Sequence, residues 1–151
     1  MVGFSFGITS ATVTTLGMIV GLYSSTESML AVLGGIFAIA IADAFSDALG
    51  IHVSEESEET HTKREVWEST VSTFLTKFFF AMTFAVPVIL LPLHTAVVVD
   101  IVWGVALLVA FSCYLAKKRG RKMLPSVSEH VGIALLVIVV TYYVGRFVAG
   151  L

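Results

Sequence analysis

The sequence predicts an all-α membrane protein with five transmembrane helices. Three observations lead there. Of 151 residues, 57% are hydrophobic and 13% charged, about half the charged share of an ordinary soluble domain. Mean hydropathy is +0.95. Five stretches reach the about 20 mostly apolar residues that cross a bilayer core: Phe4 to Tyr23, Met29 to Ile51, Thr70 to Leu93, Thr95 to Ala116 and Val131 to Leu151. The chain reads as one transmembrane domain over 1–151, with an acidic segment at 52–69 and almost nothing left for a soluble domain.

The first span has no basic residues before it, is too long for a signal-peptide core and shows no small-residue cleavage site before Glu27, so it reads as a retained helix. Gly3, Gly7, Gly17 and Gly21 make two small-xxx-small pairs that permit close helix approach. Thr9, Ser10, Thr12, Thr14 and Thr15 add hydroxyls to this otherwise apolar helix. They either bond back to their own helix or line a polar site.

The second span carries the chemistry. Asp43 and Asp47 are four residues apart, so both carboxylates project from one helical face together with Ser46 and Gly50. A carboxylate in hydrocarbon costs at least about 2.5 kcal/mol, and paired intramembrane acids mark ion or proton pathways. Protonation, a bound cation or Lys77 of the third span would compensate them. Two carboxylates attract a divalent ion, and cation and proton then compete for the same oxygens.

Beyond Gly50 neither Pro nor Gly interrupts IHVSEESEETHTKREVWEST, so the second helix is expected to continue past the bilayer. On a continuous helix Glu58, His61, Glu65 and Glu68 share one face, and His52, Glu55 and Glu59 another. Carboxylates with imidazole suit Mn, Fe or Zn, whereas oxygen alone suits Ca or Mg. Such an acidic vestibule raises the local cation concentration. A solvated acidic face balanced by Lys63 and Arg64 is the plainer alternative.

Pro87 and Pro92 predict a kink or break near the far end of the third span. Asp100 and His94, at the same end of the fourth, form either an exit or an interface-solvated pair. Cys113, the one cysteine, lies within the fourth span and has no intrachain partner. Tyr142, Tyr143 and Arg146 read as interface anchors of the last span.

Basic residues set the expected topology. Lys117, Lys118, Arg119, Arg121 and Lys122 lie between spans four and five, and Lys63 and Arg64 between spans two and three, which makes seven of the nine. Positive charge is retained in the cytoplasm, so the amino terminus is expected there, with the second helix extending into the cytoplasm. The KKRGRK run reads as this anchor rather than as a nucleic-acid patch.

VTTLGMIVGL in span one, ADAFSDALGIHVSEESE from span two onward, the proline-bearing third span and TYYVGRFVAGL at the end resemble the vacuolar iron transporter family over nearly the whole chain. The resemblance implies a homodimer that exports Fe2+ or Mn2+ from the cytosol in exchange for protons, across a vacuole-type or prokaryotic cell membrane. It implies an ion path formed by the first helices around the dimer axis, and glutamates of the cytoplasmic segment that bind metal. Asp43 and the glutamate-rich continuation match by position. Ser10 stands where the family has an aspartate, Asp47 where it has a methionine, and Ile51 where it has a glutamate. If Asp47 replaces the lost carboxylate, the site is all oxygen and favours Mn2+, Ca2+ or Mg2+ over Fe2+.

The expected function is therefore proton-coupled divalent cation transport, with Asp43 and Asp47 as the intramembrane site and Glu55, Glu58, Glu59, His61 and Glu65 gathering the ion. A passive cation channel using the same acids and a noncatalytic membrane scaffold are the alternatives. No catalytic spacing is present: His52 and His61 lack the i, i+4 arrangement of a helical zinc protease, so the chain is not expected to be an enzyme.

Overall fold

The computed structural model describes residues 2–58 and 60–151. Six helices follow one another: α1 Val2–Thr26, α2 Met29–Glu56, α3 Lys63–Thr83, α4 Ala85–Leu90, α5 Leu93–Lys118 and α6 Met123–Ala149. The described residues contain no strand. Five helices are long and apolar enough to cross a membrane, α3 and α4 together making the third.

α1 is the central helix and packs against α2, α3, α5 and α6. Its glycines make this possible. A Cβ at Gly7 would lie 2.9 Å from Cβ of Thr76 on α3, and one at Gly17 would lie 2.7 Å from Val137 on α6. The two small-xxx-small pairs thus serve two different neighbours. Phe4 meets Phe111 edge to face, Leu16 and Thr12 lie against Gly104, and Tyr23 bonds His94, so α1 and α5 run antiparallel.

An apolar core of Leu16, Ile19, Val32, Ile36, Phe84 and Val88 fills the end of the bundle where α4 lies. The outer faces are equally greasy: Phe37, Ile41, Phe45, Leu49 and Val53 recur every four residues on α2, all exposed. A helix apolar all round needs an apolar surround, which is what a bilayer supplies.

Where helices begin and end departs from the expected spans. α2 stops at Glu56, with Ser57 as its C-cap, and α3 begins at Lys63. Residues 52–56 thus belong to α2 and 63–69 to α3, so 52–69 is not one segment. A capping box closes the entry to α3: Thr62 accepts from the backbone of Glu65, whose carboxylate accepts from the Thr62 N–H. Capping overrides the absence of Pro and Gly, so Glu58, His61, Glu65 and Glu68 do not share a continuous helical face. α6 likewise starts eight residues before Val131, because Pro125 is tolerated in a first turn and polar turns escape a hydropathy reading.

α3 ends at Thr83 because Pro87 has no N–H to give that carbonyl, and the chain continues as α4 after Phe84. Pro92 precedes α5 as its N-cap. Between α5 and α6 the chain turns at Gly120, whose φ of +62° is open to glycine and strained for other residues.

Candidate cation site

Asp43 and Asp47 lie at the middle of α2, about 20 Å along the helix from its ends in the case of Asp43. Both turn toward α1 and α3. Lys77 of α3 reaches in between them and is 1% exposed. Its Nζ lies 2.5 Å from Oδ2 of Asp43 and in still closer contact with Oδ2 of Asp47. α1 completes the arrangement from the other side. Ser10 Oγ donates to Asp47 Oδ2 at 2.7 Å and accepts from Lys77 Nζ at 2.8 Å. Thr14 Oγ1 lies 2.9 Å from Asp43 Oδ2.

Three helices therefore place two acids, one base and two hydroxyls in one polar pocket. Of the possible compensations, the structure places Lys77 at both acids. Formal charge remains at −1, because one ammonium faces two carboxylates. The acids keep side-chain exposures of 26% and 21%, so the pocket is open on one flank. A cleft of about 300 Å3 between α1, α5 and α6 is lined by Thr9, Ser10, Thr14 and His130 among others.

The remaining hydroxyls of α1 divide. Thr9 donates to the carbonyls of Ser5 and Phe6, and Thr12 to that of Ile8, which is ordinary back-bonding. Thr15 is fully buried, and its Oγ1 has no partner among the described residues.

Glu58, Glu65 and Glu68, beyond the span, are each occupied locally. His61 lies 3.2 Å from Glu58. Glu65 takes both the N–H and the hydroxyl of Thr62, at 2.8 and 2.7 Å. Glu68 takes Arg64 at 2.7 Å. His52 lies 2.9 Å from the Thr70 hydroxyl, against the Trp67 ring and 4.0 Å from Glu56. Glu55 is 7% exposed, and Glu59 lies outside the described residues. Among the described residues no three His, Cys, Asp or Glu converge in metal-holding geometry. The structure thus brings together Asp43 and Asp47, and separately Glu58 and His61, without joining Glu55, Glu58, His61 and Glu65 into one set.

At the opposite end, Asp100 and His94 part company. His94 Nδ1 bonds the Tyr23 hydroxyl at 2.9 Å. Asp100 is fully buried, and neither carboxyl oxygen has a partner among the described residues, so interface solvation does not describe it. Periodicity alone had no means of distinguishing an acid turned inward from one turned to water. No family model, curated protein or solved structure matches this chain.

Proposed function

We propose that the protein carries divalent cations across a membrane in exchange for protons, with Asp43 and Asp47 as the binding carboxylates and Lys77 as their built-in counter-ion. The observation that carries this reading is the buried Lys77 ammonium held by both acids at mid-helix. A lysine that served only to neutralise would need one acid. With two, the pocket is one positive charge short. It becomes neutral with a divalent ion once Lys77 has given up its proton, or with the ammonium plus one further proton on a carboxylate. A divalent ion and two protons are thus alternative ways to balance the same oxygens, which is the requirement for exchange.

The ligand atoms are carboxylate and hydroxyl oxygens, a set that suits Mn2+ or Ca2+ better than Fe2+. Lys63, Arg64 and the basic residues at 117–122 lie at the Glu56 end of α2, and the tendency of positive charge to stay in the cytoplasm supports placing that end there. The acids there add a negative potential that attracts cations, without forming a preassembled ligand set. The resemblance to vacuolar iron transporters points to the same activity.

A homodimer fits this reading. α2 exposes Gly34, Ala38, Ala42, Ser46 and Gly50 at four-residue intervals, and a Cβ at Gly34 or Gly50 would touch nothing. Small residues at this spacing let two helices approach closely in lipid, here directly beside the acids.

The test is uptake of Mn2+, Fe2+ and Ca2+ into proteoliposomes, with and without a pH gradient. It compares wild type with Asp43→Asn and Asp47→Asn, each of which leaves Lys77 one acid. Gradient-stimulated flux lost in either variant supports the exchanger. Flux indifferent to the gradient indicates a channel, and none with any ion indicates a scaffold.

A further inference from the structure

Thr15 Oγ1 and the two carboxyl oxygens of Asp100 are the buried side-chain polar atoms without a partner among the described residues. They lie on helices that touch. Thr12 and Leu16 of α1, which flank Thr15 in sequence, meet Gly104 of α5, and Tyr23 meets His94. That antiparallel register sets Asp100 one turn beyond Gly104 toward His94, level with the residues just past Leu16. Asp43 is level with Thr14 of α1, so the two carboxyl sites are offset by about three residues of that helix, about 5 Å along the bundle.

Thr14 and Thr15 are adjacent on α1. Consecutive residues on a helix point about 100° apart. Thr14 turns its hydroxyl to Asp43, while Thr15 keeps its own buried on another side of α1. An ionised carboxylate sealed from water with neither donor nor cation is prohibitively costly. The titratable groups on the elements around it do not relieve that cost. α4 has none, α1 has Tyr23, already bonded to His94, and the nearby end of α6 has Tyr142, Tyr143 and Arg146, none of which bonds Asp100.

We propose that Asp100 is a second proton-binding site, on the His94 side of the Lys77 pocket, through which the proton exchanged for the cation passes. The step is one proton: the carboxylate takes it from water at the His94 end and becomes the buried acid, and releases it inward past Thr15. This rests on the exchange reading given above, and its test includes a readout independent of transport.

Infrared difference spectra of the protein in lipid vesicles, recorded across a pH titration in H2O and D2O, read the acid directly. The expected result is a carboxylic C=O band that disappears reversibly at alkaline pH, shifts in D2O and is missing in Asp100→Asn. The same variant should keep Mn2+ binding and lose gradient-stimulated uptake, and Asp100→Glu should restore part of it. Absence of any Asp100-dependent acid band, or a band that neither titrates nor exchanges, would overturn the proposal whatever the wild type transports. So would wild-type uptake by Asp100→Asn. If wild type transports nothing but the band titrates and exchanges, the proton site stands and the exchange reading alone falls. Asp100→Leu, run beside Asp100→Asn, separates loss of the proton from loss of the fold, since an apolar side chain of similar size suits this packing.

Discussion

Replacing Lys77 with Met should destabilise the protein and make its stability depend on divalent ions. Both Oδ2 atoms touch one Nζ, so they lie within about 5 Å of each other. At an effective dielectric of about 20, two unit charges at that distance repel by about 3 kcal/mol. Removing one partner of a buried ion pair costs about 3–5 kcal/mol. The carboxylates are 26% and 21% exposed, which favours the lower end, about 3 kcal/mol or roughly a hundredfold in the unfolding equilibrium. Reversible unfolding in mixed micelles, followed by helical circular dichroism, measures the loss. Mn2+ should then stabilise Lys77→Met more than wild type, because the ion enters a pocket no longer occupied by an ammonium. An unchanged midpoint, with Mn2+ acting equally on both proteins, would refute the view that Lys77 holds the place of the cation.

Three further variants test how the site is held. Thr62→Ala removes the N-cap of α3 and should cost about 1 kcal/mol, seen as faster amide exchange at residues 63–66. Gly7→Leu drives a side chain into Thr76, 2.9 Å from where its Cβ would sit; overpacking of this kind costs about 1–3 kcal/mol, and the thermal midpoint should fall accordingly. Gly120→Ala meets no neighbour within 4 Å, so its cost is conformational alone, about 1–2 kcal/mol for a positive φ, read from the same unfolding curves.

Much of the fold was legible because a bilayer-spanning helix must be long and apolar, and hydropathy measures both. Helix ends were not legible, because capping decides them: Thr62 and Glu65 start α3 inside what composition reads as a charged run. The acids of α2 announced themselves by cost and spacing, and Lys77 followed as the nearest base. Which hydroxyls of α1 would serve them did not follow. Ser10 and Thr14 face the acids while Thr9 and Thr12 bond back, a division set by how α1 sits against α2 and α3. The carboxylate-rich stretch misled for a related reason. Its residues lie close in sequence, but α2 ends at Glu56 and α3 begins at Lys63, and Glu58, Glu65 and Glu68 each find a local partner.

Charge arithmetic in the pocket makes one last prediction, and it governs how any transport experiment on the acids should be interpreted. Wild type holds two carboxylates against one ammonium. Asp43→Asn or Asp47→Asn leaves one of each and removes a repulsion of about 3 kcal/mol at 5 Å. It also replaces a charge-assisted hydrogen bond worth about 1.5–3 kcal/mol, and the amide oxygen still accepts from Thr14 or Ser10. These effects nearly cancel, so each single variant should unfold within about 1 kcal/mol of wild type. The double variant strands Lys77, 1% exposed, without a counter-charge, and should lose about 3 kcal/mol. Adding Lys77→Met to the double should recover most of that loss. Unfolding midpoints of the series measure the order directly. Singles as unstable as the double would show that each aspartate holds the helices by itself, and the Lys77 pocket would then be a clasp instead of a balance. If the order holds, flux lost only in the double variant reflects a damaged fold, and flux lost in the singles reflects the missing ligand.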